Sequence, residues 1–221
     1  MTRLNLVVEG QTEEAFVREL LARHLAQYHV SCVARCVETG REGRHIFRGG
    51  VTTYQKLKAD LNRWMREDDN RDAHFSTMID LYGLPSDFPQ IDELEASTDY
   101  PNALEEAWRR DMGHPRDQFI PYLQVHEFEA LLFADVDAFG LRFPGSYEAI
   151  RSLKAVGDEF ASPEHIDRDN PPSKRIVACL EAYEKVVDGR AIATRIGLDT
   201  IREHCRHFDQ WLSCLEGLGS G

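Results

Sequence analysis

The sequence has no run of about 18 apolar residues, so it encodes no membrane-spanning helix. Its opening, Met1-Thr2-Arg3-Leu4-Asn5-Leu6-Val7-Val8-Glu9, has too short an apolar run and no small-residue cleavage site for a signal peptide. A cytoplasmic protein is therefore expected. Cysteine is scarce and odd in number: Cys32, Cys36, Cys179, Cys205 and Cys214 have spacings that suit no disulfide framework. Cys205 is flanked by His204 and His207 but lacks the paired C-x-x-C of a zinc site, and buried thiols outside any disulfide are the plain expectation. Basic residues are also few, 26 against 38 acids for a net charge of -12, which argues against a protein that coats nucleic acid by broad phosphate neutralisation. Internal repeats are missing, and low complexity is confined to the Gly-Leu-Gly-Ser-Gly tail. With 221 residues, 42% hydrophobic and 29% charged, the composition disfavours disorder, collagen and coiled coil and suits one domain with a modest appendage.

What is present is an alternation of strand and helix signals. Leu4 to Val8 is nearly continuous in apolar residues, as a strand covered on both faces should be. Thr12 is placed to cap a helix in which Phe16, Leu20, Leu21 and Leu25 recur at helical spacing. Residues 30–38 read as a second strand, 40–50 as a glycine-and-arginine loop, and 52–66 as a helix. A third strand over 74–81 breaks at Gly83-Leu84-Pro85. A helix over 99–112, a fourth strand over 119–125 and a helix-like apolar segment over 127–133 follow. Trp64, Trp108 and Trp211 fall on helical faces and read as core. The expected fold is α/β, a Rossmann-like, mostly parallel sheet flanked by helices with its ligand edge at the carboxyl ends of the strands. The core spans 1–136. Residues 137–221 read as a helical extension packed on it, including a helix capped by Ser173 and a last amphipathic helix over 199–216.

Carboxylates follow directly on the apolar strands: Glu9 after the first, Asp80 at the end of the third, Glu127 and Glu129 just after the fourth. A single such carboxylate is ordinarily a helix cap or a solvated loop residue. On successive strand ends of a parallel sheet they converge on one edge, where they repel one another unless a cation sits between them. Oxygen-only ligands favour Mg2+ or Mn2+.

These residues resemble a known family. Leu6-Val7-Val8-Glu9-Gly10-Gln11-Thr12-Glu13 looks like the opening motif of Toprim domains, the metal-binding module of topoisomerases, bacterial primases, and RecR-type and OLD-family nucleases. Thr77-Met78-Ile79-Asp80-Leu81-Tyr82-Gly83-Leu84-Pro85 and Gln124-Val125-His126-Glu127-Phe128-Glu129-Ala130-Leu131-Leu132-Phe133 look like two further signatures of a bacterial Toprim-like family known as domain of unknown function 4276. The resemblance takes in Gly49-Gly50-Val51 and Pro172-Ser173-Lys174-Arg175. It implies a Toprim-like magnesium site with Glu9 as the glutamate after the first strand and Asp80 as the first acid of the Asp-x-Asp pair. Tyr82 stands where that pair has its second aspartate, which sets topoisomerase-like and primase-like chemistry apart from this chain. A replacement ligand is Glu13, matching the OLD-type Glu-Gly-x-x-Glu pattern, or Glu127 or Glu129, with Asp87 a weaker candidate.

Such a site implies metal-assisted phosphoryl transfer on nucleic-acid phosphodiesters. His126 serves either as general acid or as a hydrogen-bonded group orienting Glu129. From Arg35 to Arg66 there are eight Lys and Arg against three acids, so Arg44, Arg48 and Lys56 are candidates to track a DNA or RNA backbone, the alternative being a solvated charged face. Lys174 and Arg175, at a helix start, are candidates for phosphate binding. No G-x-x-x-x-G-K-[ST] occurs, and the resemblance implies an ABC- or AAA-type ATPase as partner. The expected function is a Mg2+-dependent nuclease or phosphohydrolase. The alternatives are a non-catalytic binding subunit of an ATPase complex and a nucleotide-directed phosphotransferase.

Overall fold

The computed structural model describes residues 1–42, 45–68, 70, 72–114 and 118–220, with backbone alone for 39–42 and 45–48. β1 (Thr2–Val8) is the centre of a parallel sheet. It pairs on one side with β2 (Val30–Cys36), from Thr2 opposite Val30 to Val8 opposite Cys36. On the other it pairs with β5 (Ala73–Asp80), from Arg3 opposite Ala73 to Val8 opposite Met78. Beyond β5 lie two short strands, β6 (Phe119–Ile120) and β7 (Leu123–Gln124), both parallel to it. The fold is α/β with a mostly parallel sheet flanked by helices, in the order β2-β1-β5-β6 with β7 further along β5.

The apolar run of β1 is explained by two cores, one on each face. Side chains alternate along a strand. Leu4, Leu6 and Val8 face a core with Phe16, Leu21 and Leu25 of the first helical segment and with Phe208, Trp211 and Leu215 near the carboxyl terminus. Val7, Phe75 and Ile79 face the other core with Leu57 and Leu61 of the helix Tyr54–Glu67 and Leu104 and Trp108 of the helix Tyr100–Met112. Residues after 136 in the first core thus cover one face of the sheet together with the first helical segment. Trp211 anchors this covering layer: its indole donates to Ser76 Oγ on β5 at 2.9 Å and its ring stacks on Tyr122 at 4.2 Å.

Five local features differ from the sequence expectation. The glycine-and-arginine segment pairs as an antiparallel hairpin, β3 (Glu38–Glu42) with β4 (His45–Arg48), its register shifting between Glu38 and Gly40. The fourth strand is split at Pro121-Tyr122. Proline brings no N–H to the ladder, and Thr77 Oγ1 takes over, accepting from the Tyr122 amide at 2.9 Å and donating to its carbonyl at 3.0 Å. The first helix starts at Gln11, not at a Thr12 cap; Glu13 reaches back to accept the Gly10 amide at 3.1 Å. Ser173 is not a cap either, because the helix Pro172–Cys179 already begins before it. The last helix is broken at Cys205 into Leu198–His204 and Arg206–Gly217. Glu164 causes the restart by accepting the amides of His207 and Phe208, both at 3.1 Å. No cysteine is in a disulfide among the described residues, and none of the described helices is long and apolar enough to cross a membrane.

Candidate functional site

The strand ends build a cleft of about 260 Å³ that gathers Glu9, Glu13, Asp80, Glu127, Glu129 and Lys185. Glu9 follows β1, and its own amide extends the pairing by donating to the Met78 carbonyl at 3.1 Å. Its carboxylate oxygen Oε2 accepts the Asp80 amide at 2.9 Å, which ties the end of β1 to the end of β5. The Gly50 amide donates to the Glu9 carbonyl at 3.1 Å, closing the cleft from the Gly49-Gly50 turn. Gly49 and Gly50 have φ of 96° and 69°, a region that favours glycine. Asp80 ends β5 and accepts the Tyr82 amide at 2.8 Å. Glu13 lies in the first helical turn after β1. Glu127 follows β7 and accepts the Ser173 amide at 3.0 Å, while Glu129 sits two residues on in a 3-10 helix, Phe128–Ala134, 2% exposed.

Crowding acids into a partly dry cleft disfavours their charged forms. Burial, and then the charge of Glu9, pushes Asp80 up to about 7. Burial also pushes Glu13 up to about 7, with Glu9 and Glu129 adding repulsion. Glu9 is raised by burial against the opposing Asp80 amide, and Glu129 is raised by burial against the opposing charge of Lys185. The Lys185 ammonium stands 3.7 Å from Glu127 Oε1 and 3.5 Å from Glu129 Oε2. Tyr183 donates its hydroxyl to Glu129 Oε1 at 3.4 Å.

The donor set fits a hard divalent cation: oxygen ligands from three strand ends, with carboxyl values raised by burial and by one another's charge. Among the described residues no three His, Cys, Asp or Glu side chains are already drawn together as a ligating group. Glu9, Glu13, Asp80 and Glu127 each give one carboxylate oxygen to a backbone amide.

The remaining expected residues lie elsewhere. His126 does not line the cleft; it is 3% exposed, with φ of 62°, and its ring lies 4.8 Å from that of Tyr82. Burial lowers its pKa to about 4, against the opposing charges of Glu127 and Asp167, so it is neutral at pH 7. Asp87 caps the helix Tyr54–Glu67 by accepting the Tyr54 amide at 2.8 Å. Lys56 is exposed on that helix beside Thr52, with Nζ to Oγ1 3.3 Å. Lys174 is exposed, whereas the Arg175 guanidinium is engaged by Asp167, by the Asn170 carbonyl at 2.6 Å and by the ring of Phe160. The Ser173 amide, at the helix start read as a phosphate site, is taken by Glu127. Arg44 lies outside the described residues, as does the side chain of Arg48. A larger cleft of about 420 Å³ beside Phe133 and Phe160 contains none of the strand-end carboxylates.

Lys185 and Tyr183 were not foreseen from sequence. They sit in Glu181-Ala182-Tyr183-Glu184-Lys185-Val186-Val187, which carries no strand or helical period. A π-helical turn delivers the lysine.

A family model described as Domain of unknown function (DUF4276) matches residues 8–216. The chain belongs to that family. The match takes in both the strand ends and the C-terminal layer that carries Lys185, so in this DUF4276 member the whole cleft falls within the family region. No curated protein matches the chain. Among solved structures it is similar to the C-terminal region of the Burkholderia pseudomallei OLD protein, at 17% identity over 99% of each chain and a TM-score of 0.46. It is also similar to the C-terminal region of the Xanthomonas campestris pv. campestris OLD protein, at 13% identity over 100% of this chain and 97% of that one, with a TM-score of 0.47.

Proposed function

We propose that this DUF4276 chain is a Mg2+- or Mn2+-dependent hydrolase of nucleic-acid phosphodiesters, a nuclease of the Toprim-like kind that Leu6–Glu13 and Thr77–Pro85 resemble. The observation that carries the reading is the convergence of Glu9, Asp80 and Glu127 from three parallel strand ends into one cleft. Glu9 and Asp80 are the primary holders of the cation, with Glu13, Glu127 and Glu129 completing the set. A bound divalent ion supplies charge neutralisation at the phosphate and a water of lowered pKa. The chain's own residues do the rest. The Glu9–Asp80 amide link fixes the two acids relative to each other. In the metal-free cleft the raised carboxyls of Asp80 and Glu13 hold protons near neutral pH, which an incoming cation would displace. Lys185 places a positive charge where a phosphate oxygen would otherwise meet only acids. His126, buried and neutral, acts as packing for Tyr82 rather than as an acid.

Incubation of the purified protein with single- and double-stranded DNA and RNA in Mg2+, Mn2+ or EDTA tests this reading. Cleavage dependent on metal and lost in Glu9→Gln and Asp80→Asn is expected. Cleavage absent in every metal, or undiminished in both variants, sinks it. A second reading is favoured by Tyr82 in place of an acid: a binding subunit serving an ABC- or AAA-type ATPase, supported if the wild-type chain binds Mn2+ and nucleic acid yet does not cut.

A further inference from the structure

Lys185 enters the cleft from an uncommon piece of backbone. Lys185–Gly189 winds as a π-helical turn, a form that is rare and recurs at functional sites. Asp188 fixes the turn. Its side chain is 2% exposed, it accepts the Glu184 amide at 2.8 Å, and it pairs with the Arg142 guanidinium. A buried carboxylate needs close polar partners, and the Arg142 guanidinium and the Glu184 amide supply them. Gly189 completes the arrangement: a Cβ there would lie 2.7 Å from the Tyr183 hydroxyl, the group that donates to Glu129.

We propose that Asp188 is a positioning residue of the cleft: clamped by Arg142, it sets the turn that holds the Lys185 ammonium as a resident counter-charge at Glu127 and Glu129. There the ammonium competes with a divalent cation for the same carboxylates. That consequence rests on the metal-dependent reading above, whereas the placing of Lys185 is measurable in the metal-free protein. An Asp188 that merely capped a helix would change stability and leave Lys185 where it is.

The test begins with acetylation of lysines in metal-free protein at pH 8.0, followed peptide by peptide by mass spectrometry. Lys154, 54% exposed and paired with Asp137, is the internal reference for Lys185, 49% exposed. In Asp188→Asn and in Arg142→Ala, Lys185 should react several-fold faster than in wild type while Lys154 is unchanged. An unchanged Lys185 rate in these variants overturns the proposal. Arg142 is half-exposed, so Arg142→Ala decides the matter if Asp188→Asn does not fold. Calorimetric titration with Mn2+ gives the second readout. Lys185→Met should bind Mn2+ about ten-fold more tightly than wild type, since one positive charge leaves the cation's site. Asp188→Asn should approach the same gain, and the double variant should add nothing to Lys185→Met. A gain in Lys185→Met with none in Asp188→Asn overturns the proposal. Failure of every protein to bind Mn2+ would sink the metal-dependent reading and leave the acetylation rates to decide the role of Asp188.

Discussion

Replacing Asp80 by Asn should stabilise the metal-free protein. Burial and the Glu9 charge raise the Asp80 carboxyl from 3.8 to about 7. An acid raised in the folded state binds its proton more tightly there than in the unfolded chain, so its ionisation works against folding. The penalty is absent below about pH 4, grows as pH rises toward 7, and is constant above. At about 1.4 kcal/mol per pH unit between the two values, the ceiling is about 4 kcal/mol. Asp80 is only part-buried, and solvent screening brings the working figure to about 2 kcal/mol. In a chain of this size that is a rise in melting midpoint of roughly 4–8 °C. Asparagine keeps Oδ1 as acceptor for the Tyr82 amide, so the cap survives. Scanning calorimetry in EDTA at pH 4, 6 and 8 measures the gap between variant and wild type. A variant that melts at or below wild type at pH 8, or a gap as wide at pH 4 as at pH 8, would refute the reasoning. Added Mg2+ should then raise the midpoint of wild type and leave that of the variant nearly still.

Three further outcomes are expected. Burial opposes charging of His207, but the hydrogen bond and charge of Glu105 outweigh it and hold the ring above its ordinary 6.5; burial pushes the Glu105 carboxyl itself upward, yet the 2.9 Å contact governs the pair. The pair's contribution is therefore full below pH 6.5 and lost as pH rises through the raised His207 value, and urea melts of Glu105→Gln should show a flatter decline over that range than wild type. Trp211→Phe removes the bond to Ser76 and part of the stack on Tyr122, and should lower unfolding free energy by about 2 kcal/mol in urea. Gly189→Ala should displace the Tyr183 hydroxyl and reduce cleavage more than ten-fold, at a stability loss of about 1–3 kcal/mol by calorimetry.

Much of the sheet was legible because its strands are covered on both faces. Leu4 to Val8 and Phe75 to Ile79 carry that signature, and Glu9 and Asp80, directly after them, line one cleft. The features that were not legible depend on residues far away in sequence. Nothing around Cys205 announces a helix break, because the carboxylate that restarts the helix belongs to Glu164. Nothing around Pro121 announces that Thr77 will bridge the gap in the strand. Lys185 is one charged residue in an exposed stretch, and the contact we propose to place it joins buried Asp188 to half-exposed Arg142, 46 residues apart. Arg175 shows the same dependence on distant residues: its place beside a helix start suggested a phosphate ligand, and in the structure Asp167, eight residues before it, pairs with its guanidinium.

The cleft draws its acids from the strand ends and its lysine from a turn midway through the covering layer. Synthesis therefore makes the parts in a fixed sequence. A nascent chain that has emerged only through residue 130 carries every carboxylate of the cleft but neither the lysine that offsets them nor Trp211, which fastens the covering layer to β5. Such a chain has an acidic, half-covered edge and no finished site. The carboxylates are therefore made before the lysine and the tryptophan, so a chain truncated after residue 130 would keep the acids of the cleft and lose both Lys185 and Trp211.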